Sequence, residues 1–310
     1  MQHILYAGNR ADWPGYRAAL PPLLAARGIE ARLAPDIPAD QVNYIIYAPD
    51  GPVQDFSAFP GLRAVFSLWA GVEKIIGNAS LNVPLTRMVD AGLAMGMRDY
   101  VAAHVLRHHI GMDTHIHGQD GQWRNTVFPP LARDRSIGIL GLGALGANCG
   151  AALAQFGFRV TGWSRTQKNI AGIACYSGDD GLKTVLETSE ILVLLLPYTD
   201  NTHHVLNAET LAQMRRGSII INPGRGGLVD EAALLVALER GDIGHATLDV
   251  FQTEPLPADH PFWAHPRVTV TPHIAASSRP ETCAEVLAEN IARSTHGEDL
   301  LFQVDRSAGY

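Results

Sequence analysis

Residues 137–146, Ile137-Gly138-Ile139-Leu140-Gly141-Leu142-Gly143-Ala144-Leu145-Gly146, constrain the fold more than any other stretch. An apolar run breaks into three spaced glycines and then resumes with helical character. Gly141 suits a tight turn, Gly143 a close approach of backbone to a pyrophosphate, and Gly146 close packing of a helix on a strand. The N–H groups and dipole of the helix that follows favour an anion there, with Ala144 and Leu145 in its first turn. Glycine-rich turns also serve as plain loops, so the surrounding pattern decides.

That pattern is strand and helix in alternation. Strongly apolar runs fall at Ile137–Leu140, Arg159–Trp163, Ile191–Leu196, Ser218–Ile221, Ala246–Val250 and Val268–Val270. Near-continuous apolar strands are what a parallel sheet covered on both faces requires. The glycine turn follows the first of them and opens a helix, as a doubly wound, Rossmann-type nucleotide-binding domain demands.

Before it lies a smaller α/β unit, flavodoxin-like in kind. Its strands are read at His3–Ala7, Ile29–Leu33, Tyr44–Ala48 and Leu62–Leu68, with a helix over Tyr16–Arg27 ended by Gly28. Trp69-Ala70-Gly71-Val72-Glu73 reads as a strand end, a glycine turn and a helix start, its successive N–H groups available to a carboxylate. A plain strand-to-helix connection explains the same residues. Thr86–Val89 reads as a further strand, and Ala91–Gly96 as a hinge into a helix opened by Asp99. A last helix, about Pro280 to His296, is expected to return to the first unit. The expected division is therefore 1–97 with 283–310 as the substrate domain and 98–282 as the nucleotide domain.

A chain of 310 residues accommodates two such domains. No apolar run approaches the ~18 residues of a membrane span, and the N-terminus lacks a signal-peptide pattern, so the expected location is cytoplasmic. Three scattered cysteines, Cys149, Cys175 and Cys283, argue against a disulfide framework, and a net charge of −7 against nucleic acid as a partner. His104 and His108 have helical spacing, but no carboxylate or thiolate cluster accompanies them. Solvated or capping histidines are expected at 104, 108, 109, 115 and 117, and no metal.

The dinucleotide fingerprint normally has an acidic residue at the end of the second strand, for the ribose 2′-OH of NAD. Here that strand ends Trp163-Ser164-Arg165-Thr166-Gln167-Lys168, without Asp or Glu, and Arg165 stands 19 residues after Gly146. A guanidinium beside hydroxyls suits a 2′-phosphate. NADP(H) is the expected cofactor, with NAD(H) the weaker alternative.

Three later stretches place reactive side chains at strand ends: Asn222-Pro223-Gly224-Arg225-Gly226, Asp249-Val250-Phe251-Gln252-Thr253-Glu254, and Thr271-Pro272-His273-Ile274-Ala275. Singly, Arg225 reads as a surface ion pair, Glu254 as a loop carboxylate and His273 as a cap. Together, at the carboxyl ends of strands in an open α/β sheet, they can converge on a ligand. With the glycine turn, Trp163–Thr166, Leu196-Pro197-Tyr198-Thr199 and the terminal Gln303–Tyr310, they make the chain resemble the D-isomer-specific 2-hydroxyacid dehydrogenases, most closely the glyoxylate/hydroxypyruvate reductase A group.

The resemblance implies NADPH-dependent reduction of small 2-oxo acids such as glyoxylate and hydroxypyruvate. His273 would be the general acid for the 2-oxo oxygen, with Glu254 on its far ring nitrogen and Arg225 on the substrate's carboxylate and oxo oxygen. The turn at Ala70, Gly71 and Val72 would hold the carboxylate's other side. Asp249 would meet the nicotinamide carboxamide, and Leu196, Pro197, Thr202, Pro223, Gly224 and Ala275 would complete the cofactor site. Trp69 stands where the group commonly has a small residue, so it either narrows the substrate pocket or faces elsewhere. Trp123 either caps a pocket, in the partner subunit of a homodimer, or is structural; Tyr100 is the third candidate for setting pocket width. Reductases for larger phenylpyruvate-like or branched 2-oxo acids, and a non-enzymatic dinucleotide sensor, are the alternatives.

Overall fold

A computed structural model of the chain describes residues 1–125, 128–306 and 309. Among them the order is β1 (Gln2–Ala7), α1 (Trp13–Ala26), β2 (Ala31–Ala34), β3 (Tyr44–Tyr47), β4 (Ala64–Ser67), β5 (Leu85–Thr86), α2 (Ala91–His109), α3 (Met112–His117), β6 (Ser136–Leu140), α4 (Ala144–Gln155), β7 (Arg159–Trp163), β8 (Ile173–Tyr176), α5 (Gly178–Thr188), β9 (Ile191–Leu194), α6 (Ala208–Gln213), β10 (Ser218–Asn222), α7 (Glu231–Arg240), β11 (Ile243–Leu248), β12 (Val268–Val270) and α8 (Pro280–His296). Two compact units result, Met1–Leu93 with Ser277–Tyr310, and Ala94–Ala276. The second crossing comes six residues before the expected 282/283. Ser278 Oγ donates to Leu68 O and Thr282 Oγ1 to Asp90 Oδ2, which ties the start of α8 into the first unit.

The first unit is a parallel sheet in the order β2-β1-β3-β4-β5, the flavodoxin-like order. Every residue of β3 and β4 is buried, so both faces need cover. One face packs Ile4, Tyr44, Ile46 and Phe66 against Leu20 and Leu24 of α1 and Leu287 and Ile291 of α8. The other packs Ile45 and Val65 against Val72, Ile75, Leu81 and Leu85. Two expectations need correction here. The strand expected over Thr86–Val89 pairs with β4 only at Leu85 and Thr86, because Arg87 N and Met88 N donate instead to Phe302 O and Trp69 O. No helix follows Gly71; Val72 O accepts from Ile75 N and Ile76 N in a single turn. Of the terminal stretch, Ser307, Ala308 and Tyr310 lie outside the described residues.

The second unit is a parallel sheet in the order β12-β11-β10-β9-β6-β7-β8. The chain builds outward from β6 through β7 to β8, then restarts at β9 on the other side of β6. That reversal is the topological switch point, where open sheets of this kind bind ligands. Ile137, Ile139 and Ile221 pack under Val101 and Val105 of α2 and Cys149 and Leu153 of α4, while Leu192, Leu194 and Ile220 pack on Val185, Leu211, Leu234 and Leu238 of α5, α6 and α7.

The hinge expected over Ala91–Gly96 is instead the first turns of a continuous α2, and Asp90, not Asp99, opens it: Asp90 Oδ2 accepts from Leu93 N at 3.1 Å. Nor are all the histidines solvated. His109 is buried, and His108 is 4% exposed with Nε2 2.9 Å from Thr247 Oγ1. His104 Nδ1 is buried without a hydrogen-bond partner among the described residues. Among the described residues only His108 meets a threonine; His104 packs on the Tyr100 ring at 4.4 Å and His109 on Phe158 at 4.9 Å, so aromatic rings rather than water receive these two. Only His115 and His117 are exposed as expected.

Candidate active site

The glycine turn leaves the end of β6 beside its two neighbours. Gly141 N donates to Trp163 O at 2.8 Å, and Leu195 N to Leu140 O at 2.7 Å. Gly141 takes φ +107°, and a Cβ there would lie 2.5 Å from Leu195 O. A Cβ on Gly146 would come within 1.8 Å of Gly141 O, which is how α4 packs so tightly on the turn. At Gly143 an added Cβ meets nothing within 4 Å. The turn therefore has open space where a pyrophosphate needs it, at the N-terminus of a helix with no side-chain cap and no acidic residue in its first turn. The residues present fit a dinucleotide.

Leu140 and Trp163 are register partners, so the segment after β7 emerges next to the glycine turn. Arg165, Thr166 and Lys168 are exposed there. Ser164 is buried and spends its hydroxyl on Thr166 O at 2.8 Å, and Trp163 Nε1 donates to Gly178 O. Those two shape the loop, and Arg165 and Lys168 are its charges. Thr202 likewise braces a turn: its Oγ1 donates to Pro197 O at 2.7 Å and accepts from Thr199 N at 2.8 Å, beside buried Leu196.

Past β10 the chain reaches Arg225. Buried Asn222 folds this loop, accepting from Gly224 N through Oδ1 at 3.1 Å and donating from Nδ2 to Arg225 O at 2.9 Å. Pro223 and Gly224 are buried within it. A Cβ on Gly226 would lie 1.9 Å from the carbonyl carbon of Phe251, so this loop lies directly on the start of the next.

The next loop carries Glu254. Its Oε1 accepts from Phe251 N at 2.9 Å, and its Oε2 lies 2.7 Å from His273 Nδ1. His273 holds φ +54°, a left-handed conformation that is strained for a residue with a Cβ. Asp249 enforces it. Its backbone O accepts from His273 N at 2.9 Å, and its fully buried carboxylate accepts from Ile274 N and Ala275 N, each at 2.9 Å, and from Thr271 Oγ1. Thr271 in turn accepts from Tyr100 OH at 2.7 Å, and burial pushes the Tyr100 phenol up to about 12. Tyr100 thus supports the His273 loop from beneath.

The second unit therefore brings Arg225, Glu254 and His273 to the carboxyl end of its sheet, with the glycine turn at the same end. The roles of Asn222 and Thr271 escaped the sequence reading. The Asn-Pro-Gly turn signature marks Asn222; nothing local marks Thr271.

In the first unit, the N–H groups of Ala70, Gly71 and Val72 find no acceptor among the described residues. Trp69 is 39% exposed, with Lys74 Nζ 5.4 Å above its ring. Trp123 is 90% exposed, in a segment without regular secondary structure. Neither joins Tyr100 in a described cluster.

Comparison with known proteins agrees with this geometry. The family model for D-isomer specific 2-hydroxyacid dehydrogenase, NAD binding domain, matches residues 100–275. A glyoxylate/hydroxypyruvate reductase A of Yersinia enterocolitica is 39% identical over 88% of each chain. One from Photorhabdus laumondii is 40% identical over 86% of this chain and 87% of its own. The crystal structure of a D-isomer specific 2-hydroxyacid dehydrogenase from Xanthobacter autotrophicus Py2, in complex with NADPH and MES, has a TM-score of 0.92 at 38% identity and covers 100% of this chain and 99% of that one. An NADPH-dependent glyoxylate/hydroxypyruvate reductase of Sinorhizobium meliloti, in complex with NADP and sulfate, has a TM-score of 0.88 at 34% identity over 100% of both chains. A pyrophosphate-ready turn, a carboxylate-bound histidine and an arginine at one end of a doubly wound sheet, together with these likenesses, make the chain a member of the D-isomer-specific 2-hydroxyacid dehydrogenase family.

Proposed function

We propose that the protein reduces small 2-oxo acids, glyoxylate and hydroxypyruvate, to 2-hydroxy acids with NADPH. The observation that carries this reading is the 2.7 Å contact between His273 Nδ1 and Glu254 Oε2. It directs Nδ1–H to a carboxylate, and the imidazolium that this carboxylate favours carries its second proton on Nε2 for transfer. NADPH supplies the hydride when bound. Arg225 binds the substrate carboxylate and polarises the 2-oxo group, and His273 gives its proton to the oxygen as negative charge develops there. Glu254 stabilises the imidazolium before transfer. The amides of Ala70, Gly71 and Val72, without an acceptor among the described residues, support a carboxylate-binding turn in the first unit.

Arg165 and Lys168, at the end of β7 where NAD-dependent folds carry an acid, support NADPH over NADH. Gly141, Gly143, Ala144, Leu145 and Gly146 receive the pyrophosphate. A homodimer is part of the same reading, supported by the exposed apolar side chains Ile110, Met112, Ile116, Trp123, Phe128 and Leu131 in one segment of the second unit. The test is NADPH absorbance loss across a panel of 2-oxo acids. Glyoxylate and hydroxypyruvate should be reduced fastest; preference for phenylpyruvate would replace the substrate class, and no turnover with any would refute the reading.

A further inference from the structure

Two consecutive amides at the start of the Glu254 loop point to two different glutamates. Phe251 N donates to Glu254 Oε1 at 2.9 Å, and Gln252 N donates to Glu231 Oε1 at 3.0 Å. Glu231 is the first residue of α7, held in place because Asp230 caps that helix by accepting from Ala233 N at 3.1 Å. The second oxygen of Glu231 lies 3.5 Å from His260 Nε2, and both side chains are about four-fifths buried. His260 Nδ1 accepts from Phe262 N at 3.3 Å, which puts the ring proton on Nε2, toward Glu231. Phe262 is 1% exposed in the core. Gln252 adds a third tie, donating from Nε2 to Val229 O at 3.0 Å.

The loop from Phe251 to Phe262 is thus fastened at both ends to one carboxylate. That carboxylate opens α7, six residues after Arg225, which lies on the connection from β10. We infer that Glu231 is a positioning residue for the reaction: by fixing the Gln252 peptide it aims the adjacent Phe251 N–H at Glu254, and so holds Glu254 on His273. This rests on the proposed roles of Glu254 and His273. Without Glu231, the Gln252 amide turns to water for its acceptor, the peptide is no longer fixed, and the Glu254 carboxylate loses its set direction. Reaction geometry would suffer while the cofactor turn, on a different connection, would not.

The test compares Glu231→Ala, Glu231→Gln, Glu254→Gln and the double variant Glu231→Ala/Glu254→Gln in the full chain, measuring kcat, KM for glyoxylate and the NADPH dissociation constant. Glu231→Ala should lower kcat about tenfold or more, with KM and NADPH affinity within about twofold of wild type, as expected for a small misplacement of a catalytic pair. Glu231→Gln, whose amide oxygen still accepts the Gln252 N–H, should recover most of that loss. The double variant should be no slower than Glu254→Gln, because Glu231 acts only through Glu254. If Glu231→Ala does not fold, Glu231→Asp, one methylene short, carries the same expectations. Multiplying losses in the double variant, wild-type kcat in Glu231→Ala, or a parallel loss of NADPH affinity would overturn the proposal. Wild-type turnover in Glu254→Gln would overturn it differently, by refuting the reading of the Glu254–His273 pair beneath it.

Discussion

His273 Nδ1 and Glu254 Oε2 stand 2.7 Å apart, and each is held by backbone rather than by the other alone: His273 through Asp249 O, Glu254 through Phe251 N. The pair is therefore set before a substrate arrives, which is the condition under which a proton donor lowers a barrier without reorganising first.

The second and third glycines of the turn should separate binding from folding. Gly143→Ala adds a methyl group to open space and should melt within about 2 °C of wild type while weakening NADPH roughly tenfold. Gly146→Ala drives a carbon into Gly141 O and should lower the melting temperature clearly. Calorimetry and cofactor fluorescence titration measure both; equal effects on NADPH with no difference in melting would contradict the assignment.

Arg165 sets the cofactor preference in this account. Arg165→Ala should cut kcat/KM for NADPH by roughly 10- to 100-fold and leave that for NADH nearly unchanged, since only the phosphate loses a charged partner. An unchanged NADPH/NADH ratio would count against it.

Much of this was legible in the chain itself. β7 and β12 were delimited to the residue although neither is fully buried, and α8, read as about Pro280 to His296, was legible because a helix opened by Pro280 and closed before Gly297 is punctuated at both ends. The convergence of Arg225, Glu254 and His273 was legible because each follows a strand of one parallel sheet. Other features depend on partners distant in sequence. Gly92 and Gly96 suggested a hinge, yet a Cβ on Gly92 would lie 2.6 Å from Thr282 Oγ1, so glycine there serves close packing. β8 is a half-buried edge strand whose apolar run, Ile173-Ala174-Cys175-Tyr176, is only four residues long. The burial of His108 needs Thr247, 139 residues away.

Arg225 should tolerate neither deletion nor shortening. Arg225→Ala should lower kcat/KM for glyoxylate about a thousandfold with NADPH affinity retained, and Arg225→Lys should recover little, because an ammonium lacks the paired donors of the guanidinium. A kcat/KM within tenfold of wild type for the alanine variant would remove Arg225 from the site.

Acid should destabilise the second unit through His108 and His245. Burial is the main cause that lowers His108 to about 3 and His245 to about 4, with Arg107 and the neighbouring histidines adding repulsion and Asp113 opposing it. Both are neutral when folded, whereas the unfolded chain protonates them near pH ~6.5. The unfolded state then binds more protons below that pH, so stability falls as pH drops from about 6.5 toward about 4, by up to about 1.4 kcal/mol per pH unit for each histidine. His108→Gln should flatten the fall in melting temperature over that window; an unchanged slope would contradict the cause.

The most direct measurement is NADPH oxidation by His273→Ala with glyoxylate, beside NADPH binding to the same variant. The account predicts turnover reduced by about 10²- to 10⁴-fold with cofactor affinity unchanged, the signature of a lost proton donor. Turnover within about threefold of wild type, below the loss expected for a general acid, would contradict it.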